Sequence, residues 1–286
     1  MLCVFVPWRP DLRLKTGIER PLKNVMSIYK MRAPASFSRW ITTHRPNPRA
    51  RLRLFCLPYA GGGTSIFYTW PDSLPPSIEV RPVQLPGRGS RLNERPFTEM
   101  GPLVRSLARA MLPYVDKPFA FFGHSMGALV SFELARQLCR EYGLSPSHLF
   151  VSGCVAPQLT GSGKRTYALL DPEFVEELRH LNGTPRELLA NEEFMSMMLP
   201  VLRADFMVCE TYKYVNDIAL DCPVTAYGGL QDYSVRCEDL EAWRCQSTGS
   251  FSMHMFRGDH FFLHTAQSLL LQALSLDLDQ YVRLAA

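Results

Sequence analysis

The segment from residue 118 to 143 constrains the fold more than any other part of the sequence. PFAFFG (118–123) has no charged residue and predicts a strand buried on both faces. The next three residues are HSM, and they are followed by GALVSFELARQLCREYG (127–143). This second segment has apolar residues at helical spacing and ends at Gly143, which can terminate a helix. A doubly buried strand that runs straight into a helix is typical of a parallel sheet covered by helices.

The same alternation recurs along the chain from residue 51 onward. Helices are predicted at 98–115 and 265–282. Further strands are predicted at RLRLFCLP (51–58), SIEVRPVQL (77–85), SHLFVSG (147–153), CPVTAYGG (222–229) and SFSMHMFRG (250–258). The sequence therefore predicts an α/β fold with a mostly parallel central sheet and helices on both faces.

The strand rhythm is interrupted between residues about 160 and 215, where the pattern is helical. One helix is predicted to start at Asp171-Pro172-Glu173, with Asp171 as its cap, and to end at Asn182-Gly183. Thr184-Pro185-Arg186-Glu187 has the pattern of a capping box for the next helix. We interpret this region as a helical lid inserted between two strands; additional helical packing without a gating role is the alternative.

Positive charge is concentrated at the N-terminus. Residues 1–50 contain ten Lys and Arg and two acidic residues, whereas the rest of the chain is net negative. The segment lacks the aromatic-basic repeat of nucleic-acid binders, so no nucleic-acid partner is expected. We predict a basic, poorly ordered extension over 1–45 and a domain over 46–286; Met26 or Met31 is an alternative natural start.

Membrane and disulfide signals are weak. No apolar run approaches the roughly 18 residues of a membrane span. The apolar start precedes the charges, which is the reverse of a secretory signal. The eight cysteines form no CxxC pair and are expected to be reduced. A cytoplasmic protein without a membrane partner is therefore expected.

Ser125 is the candidate nucleophile because it lies in Gly-x-Ser-x-Gly between the predicted strand and helix. Glycines at 123 and 127 permit a tight turn that exposes the hydroxyl and brings the next amide to a helix N-terminus. The alternative is an ordinary strand-to-helix turn. A serine hydroxyl needs a base and a group that orients the base.

His260 is the preferred base because it follows a late strand, and His254 and His264 are its rivals. His124 is interpreted as structural.

Asp232 is the preferred acid because it lies just past the preceding strand. Asp205, in or near the predicted lid, is its main rival, and Asp259 is too close to His260 in sequence to reach its ring.

LPYAGGG (57–63) follows the first strand and can bring backbone amides close to a substrate. The amides of Ala60 and Met126 are the candidate oxyanion donors. The histidines are dispersed without HxH or HExxH spacing, so no metal is expected. An apolar stripe in the lid is predicted to line an acyl pocket: Phe194, Met197, Met198, Val201 and Leu202.

Several segments, in this order, resemble the type II thioesterases, which are α/β-hydrolases that accompany polyketide and non-ribosomal peptide synthases. The segments are RPNPRARLRLFCLPYAGGGTSIFYTW, VQLPGRGSRL, FFGHSMGALVSFELAR, LFVSGCVAP, LRADF and GDHFFL, and they span roughly residues 40–270.

This resemblance implies hydrolysis of acyl thioesters on the phosphopantetheine arm of acyl or peptidyl carrier proteins, which removes aberrant or stalled acyl groups. It implies the triad Ser125, Asp232 and His260 and no cofactor, since the substrate carries the phosphopantetheine. A monomer is expected. Related fatty-acid enzymes release medium chains, which remains an alternative. An esterase or lipase for free small esters and a binding protein on a hydrolase scaffold are the other two.

Overall fold

The computed structural model describes residues 39–161 and 165–284. Six strands form one sheet in the order β2-β1-β3-β4-β5-β6, and every neighbouring pair is parallel. The strands are β1 (Leu52–Leu57), β2 (Ile78–Pro82), β3 (Phe119–His124), β4 (His148–Ser152), β5 (Val224–Gly229) and β6 (Phe251–Phe256). Each predicted strand is therefore present, which confirms the predicted fold class.

Helices connect the strands and cover both faces of the sheet. The α-helices are α1 (Met100–Met111), α2 (Met126–Tyr142), α3 (Asp171–Leu181), α4 (Arg186–Leu189), α5 (Glu192–Glu210), α6 (Cys237–Glu241), α7 (Phe262–Thr265) and α8 (Gln267–Leu284). Short 3-10 helices lie at Thr64–Phe67, Trp70–Asp72, Gly89–Arg91, Leu112–Tyr114, Pro157–Leu159, Thr166–Ala168 and Ala242–Gln246. Among the described residues, no helix is long and apolar enough to cross a membrane.

Alternate residues of the central strands enter two separate apolar cores. Phe55 and Phe121 belong to the core that contains α1 and α2, whereas Leu54 and Phe122 belong to the core beneath α8. Successive side chains of a strand point to opposite faces, so a strand with a helix layer on each side needs apolar residues throughout. This explains the uninterrupted apolar segment before Ser125.

The strand order reverses direction between β1 and β3. The chain passes from β1 outward to β2 and then returns to the other side of β1 to form β3. In open parallel sheets, ligands bind beyond the carboxyl ends of the strands at such a reversal. The loop after β1, with Ala60, and the turn after β3, with Ser125, both lie there.

The domain begins earlier than the predicted boundary at residue 45. Trp40 and Ile41 are buried in the core. The amide of Gln84 donates to the Trp40 carbonyl at 2.8 Å, and Ile41 forms an antiparallel bridge with Val83. A single bridge has no periodicity, which is why the sequence pattern missed it. Residues 1–38 of the predicted extension, including Met26 and Met31, lie outside the described residues.

The helical insertion predicted between two strands lies between β4 and β5 and contains α3, α4 and α5. Its helices share an apolar cluster made of Phe174, Leu178, Leu189, Met195 and Leu202. Val208, in the C-terminal part of α5, belongs to the core that contains α1 and α2. The insertion is thus packed on the domain along α5.

Two details of the predicted helix starts are wrong. Asp171 does not cap α3, because the cap position is Leu170, whose amide donates to Glu173. The Asp171 carboxylate instead accepts a hydrogen bond of 2.5 Å from Arg203. Thr184 does not cap α4, which begins after Pro185 without a side-chain cap. The predicted end of α3 is confirmed, because Asn182 adopts the left-handed conformation with φ 58°.

Candidate active site

The backbone at Ser125 is strained. Its φ of 53° and ψ of −118° lie outside the regions that a serine ordinarily adopts. A Cβ at Gly123 would lie 2.1 Å from the Gly127 carbonyl oxygen, and one at Gly127 would lie 2.2 Å from the Leu57 carbonyl oxygen. Both glycines are therefore required for the turn to form. The turn explains the Gly-x-Ser-x-Gly spacing and brings Ser125 to the start of α2.

Two amide groups define the surroundings of this turn. The Ser125 amide donates to the Ser152 carbonyl oxygen at 2.7 Å, which ties the turn to the end of β4. Met126 is the first residue of α2, so the helix supplies no carbonyl one turn earlier for its amide. An amide in this position can donate to an oxygen on a bound substrate.

Asp232 and His260 form a hydrogen-bonded pair on the loops after β5 and β6. His260 Nδ1 lies 2.7 Å from Asp232 Oδ2. The other carboxylate oxygen of Asp232 accepts from the amides of Ser234 at 2.8 Å and Val235 at 3.2 Å. These contacts fix the buried carboxylate, which therefore favours the His260 tautomer protonated at Nδ1. In that tautomer Nε2 is free to accept a proton.

Ser125 and His260 line the same cavity, which has a volume of about 590 Å³, and so do Ala60 and Met126. Asp232 does not line the cavity itself but is hydrogen-bonded to His260, which does. The structure thus brings together the five residues that the sequence predicts for catalysis and oxyanion binding.

The rival residues have other partners. His254 is an exposed residue of β6, and His264 Nε2 lies 3.0 Å from the Tyr59 hydroxyl. Asp259 accepts a hydrogen bond of 2.9 Å from the Asn182 amide group. Asp205 pairs with Arg88. Of these candidates, the structure pairs only His260 with Asp232 within the described chain.

His124 is buried directly behind the site. Its Nδ1 lies 2.9 Å from the Ser152 hydroxyl, and its ring centre lies 5.3 Å from that of His260. Burial, together with repulsion from His260, holds the pKa of His124 well below its ordinary value. The ring is therefore neutral near pH 7 and adds no charge next to His260.

Only part of the stripe predicted for the acyl pocket lines the cavity. Phe194, Met198 and Leu202 line the cavity. Met197 is 46% exposed and lies outside the lining, and Val201 is buried against Gly87 instead. Met197 and Val201 are one turn apart and each is one residue before a lining residue, so they lie on an adjacent face of α5.

Sequence reasoning also missed lining residues on α5 and on the other lid helices. Met195 and Phe206 of α5, Leu178 and Leu181 of α3, and Leu188 of α4 line the cavity. Phe206 continues the spacing of Met198 and Leu202 by four residues, which is a signal the sequence contained. The other helices give no such indication, because their apolar faces could have packed against any core.

Two cysteine thiols also line the cavity. Burial raises the pKa of Cys154 to about 12 and that of Cys209 well above its ordinary value. Thiols with such pKa values stay protonated near neutral pH and are poor nucleophiles. Ser125, which lines the same cavity as His260, is thus the better candidate nucleophile.

The family is established by comparison with known proteins. Residues 52–275 match the model of the thioesterase domain family. The gramicidin S biosynthesis protein GrsT of Aneurinibacillus migulanus is 49% identical, over 80% of this chain and 90% of GrsT. The type II thioesterase BorB from the borrelidin biosynthetic cluster is 37% identical, with a TM-score of 0.76 over 82% of this chain and 96% of BorB.

A third relative has a name that indicates a different activity. The linear gramicidin dehydrogenase LgrE of Brevibacillus parabrevis is 48% identical, over 86% of this chain and 94% of LgrE. The family match and the likeness to BorB outweigh that name here, and the cavity holds a serine with a histidine–aspartate pair. The chain therefore belongs to the thioesterase family, as a type II thioesterase with an α/β-hydrolase fold.

Proposed function

We propose that this chain hydrolyses acyl thioesters held on the phosphopantetheine arm of carrier-protein domains, and that it removes aberrant or stalled acyl groups during polyketide or non-ribosomal peptide synthesis. One observation carries the chemical part of the proposal. Ser125, which lies in a strained turn, lines the same cavity as His260, and the Nδ1 atom of His260 is hydrogen-bonded to the buried Asp232. The relationship to GrsT and BorB supports the biosynthetic part.

The first half of the reaction transfers the acyl group to the enzyme. His260 Nε2 accepts the proton of Ser125, whose Oγ attacks the thioester carbonyl carbon. The carbon–sulfur bond then breaks and the thiolate leaves. The leaving thiolate takes the proton from His260. A thiol is a good leaving group, so this step needs less acid assistance than the cleavage of an oxygen ester.

The second half releases the acyl group. His260 removes a proton from a water molecule, which attacks the acyl carbon, and the proton then passes to Ser125 Oγ as the free acid leaves. Asp232 holds the ring orientation and stabilises the imidazolium form of His260 in both halves. The reaction uses side chains of one chain and water, so a monomer without a cofactor suffices.

The negative charge that develops on the carbonyl oxygen requires hydrogen-bond donors. The amides of Ala60 and Met126 supply them in this proposal, since both residues line the same cavity as Ser125. Amides in rigid turns need no reorganisation when the charge forms, which is the main advantage of an oxyanion hole.

The acyl chain occupies the apolar part of the cavity beneath the lid. Phe194, Met198 and Leu202 provide apolar walls, and methionine adapts to ligands of different shape. A cavity of about 590 Å³ lies within the usual size of small-molecule sites. This lining favours aliphatic acyl groups over charged ones.

The test is a comparison of leaving groups with the same acyl chain. Hexanoyl groups are presented on a phosphopantetheinyl carrier protein, on free pantetheine and as an ethyl ester, and kcat/KM is measured for each. We expect the carrier-bound thioester to be the best substrate and the ethyl ester the poorest. A higher kcat/KM for the ester than for both thioesters would instead indicate an esterase of free small molecules.

A further inference from the structure

Three sequence segments that the mechanism leaves largely unused meet beside the cavity. Gly61 belongs to LPYAGGG, Arg88 to LPGRG and Asp205 to LRADF. We infer that Asp205 and Arg88 are positioning residues that hold the loop after β1 in the shape needed for oxyanion binding. The inference rests on the proposed function, because it concerns the Ala60 amide of that mechanism.

The contacts converge on one carboxylate. Asp205 Oδ2 accepts from the Gly61 amide at 2.7 Å and from Arg88 Nη1 at 2.6 Å. Asp205 Oδ1 accepts from Arg88 Nη2 at 2.7 Å. The bidentate pair gives the carboxylate a defined orientation toward the loop. A residue of the lid helix α5 thereby binds the backbone of the loop after β1.

Hydrogen bonds fix the four successive peptide groups between Tyr59 and Gly63. The Tyr59 carbonyl, which shares a peptide plane with the Ala60 amide, accepts from the Gly62 amide at 2.9 Å. The next peptide donates its Gly61 amide to Asp205. The Gly62 carbonyl accepts from Arg88 Nη1 at 3.3 Å. Because the first of these planes contains the Ala60 amide, the direction of that donor depends on the geometry of the loop.

The loop is also held sterically by the same helix. Gly61 has φ +75°, and a Cβ at this position would lie 2.5 Å from Leu202 Cδ2. Leu202 precedes Asp205 by three residues, so both side chains lie on one face of α5. The face thus contacts Gly61 with an apolar group and binds its amide with a carboxylate.

The burial of this ion pair argues for more than a surface contact. Asp205 is 3% exposed and Arg88 is 5% exposed. Removing two charges from water is costly, and such a pair is tolerated when additional hydrogen bonds satisfy it. Here those additional bonds go to the backbone of the loop after β1 at Gly61 and Gly62. The pair therefore couples the lid helix to the oxyanion site.

The chain contains a matched control for the test. Glu79 on β2 is 2% exposed, pairs with Arg53 at 2.9 Å and Arg81 at 2.8 Å, and accepts from the Asn47 amide at 3.0 Å. It has the same kinds of partners as Asp205, but none of them belongs to the loop after β1. Glu79→Gln therefore measures the effect of disrupting a buried carboxylate away from the reaction.

The experiment compares wild type, Asp205→Ala, Asp205→Asn and Glu79→Gln. The measurements are kcat and KM for hexanoyl-pantetheine and the inhibition constants of hexylboronic acid and hexanoic acid. A boronic acid forms a tetrahedral adduct with a serine and places an oxygen at the oxyanion position, whereas hexanoic acid tests ground-state binding. Circular dichroism establishes that each variant is folded at the assay temperature.

We expect Asp205→Ala to lower kcat and hexylboronic acid affinity by about 100-fold each, the usual effect of losing one oxyanion donor. KM and hexanoic acid affinity should stay within about threefold. Asp205→Asn should show the same pattern with smaller losses, and it decides the question if Asp205→Ala does not fold. Glu79→Gln should melt at a lower temperature but keep wild-type kinetics.

Two results would overturn the inference. One is wild-type kcat and boronic acid affinity in the folded Asp205 variants, and the other is an equal loss in Glu79→Gln. Failure of the proposed function has a different signature. In that case the wild-type protein would neither hydrolyse the thioester nor bind hexylboronic acid, and the inference would fall with it.

Discussion

At the scale of single residues, the site depends on one strained backbone conformation. Ser125 adopts its φ of 53° because Gly123 and Gly127 allow the strand and helix to approach more closely than any side chain would permit. Strain of this kind persists where the surrounding structure enforces it, and it is common at catalytic residues. The glycines are thus part of the candidate site, although they have no side chain to contribute.

Asp232 is expected to be indispensable to the reaction. Asp232→Asn should lower kcat by about 10⁴-fold, because an amide stabilises neither the required histidine tautomer nor the imidazolium. Steady-state kinetics with hexanoyl-pantetheine measures the loss. Asp259→Asn is the control, since Asp259 neighbours His260 in sequence but accepts from Asn182. A larger loss of kcat in Asp259→Asn than in Asp232→Asn would show that Asp259, and not Asp232, is the acid of the triad.

The proximity of the candidate residues could be predicted from the sequence because they follow strands. Ser125, Asp232 and His260 lie in the turns and loops that follow β3, β5 and β6, so parallel topology brings them to one edge of the sheet. The bonds of Asp205 could not be predicted in the same way. They join residues far apart in the chain, and no periodicity links Gly61, Arg88 and Asp205.

At the scale of elements, α5 performs several tasks with different faces. One face lines the cavity with Phe194, Met198 and Leu202, and the C-terminal part packs into the main core through Val208. Met197 is on a face exposed to solvent. Helical spacing indicated an apolar helix, but it could not distinguish adjacent faces about 100° apart in a helix that is apolar over much of its surface.

This difference between neighbouring methionines gives a test of the acyl pocket. Met198→Trp should shift the preference toward shorter acyl chains, because the larger ring fills part of the cavity. Turnover is measured over a series of thioesters from acetyl to decanoyl. Met197→Trp is the matched control and should leave the chain-length profile unchanged. If Met198→Trp slows all chains by one factor, this residue does not set the depth of the pocket.

At the scale of the whole molecule, the two-sided core isolates polar groups from water. His148 on β4 is 3% exposed, and its Nε2 lies 2.9 Å from the Thr225 hydroxyl. Burial lowers the pKa of His148 to about 3. The hydroxyl of Thr225 in turn donates to Asp277 at 2.8 Å, which links β4 and β5 to the C-terminal helix α8.

The buried histidine makes stability depend on pH. Its pKa is lower in the folded protein than the ordinary 6.5, so below pH 6.5 the unfolded chain binds a proton that the folded protein does not. Stability should therefore fall as the pH falls from about 6.5 toward 3. For this residue the slope is about 1.4 kcal/mol per pH unit, and His124 should act in the same direction.

Urea unfolding between pH 7.5 and 5 measures this dependence. His148→Gln should reduce the slope below pH 6.5 by about 1.4 kcal/mol per pH unit, whatever its effect on stability at pH 7.5. His180→Gln, at an exposed position, is the control and should keep the wild-type slope. An unchanged slope in His148→Gln would mean that the histidine is protonated in the folded protein.

The overall architecture was the most predictable property of this chain. Long apolar strands and amphipathic helices repeat their signal over many residues, so β1 to β6 were all predicted. The contribution of Trp40 and Ile41 was missed, because the bridge to Val83 is isolated. Short contacts of this kind are specified by tertiary packing, for which a single sequence has no periodic pattern.

The proposed mechanism depends on attack by Ser125 on the thioester, so replacement of this residue is the decisive experiment. We expect Ser125→Ala to lower kcat/KM for a hexanoyl carrier protein by on the order of 10⁴- to 10⁶-fold while the fold is retained. Ser65→Ala is the control, since Ser65 is another serine that lines the same cavity, and it should remain close to wild type. Near wild-type turnover by folded Ser125→Ala would contradict the mechanism.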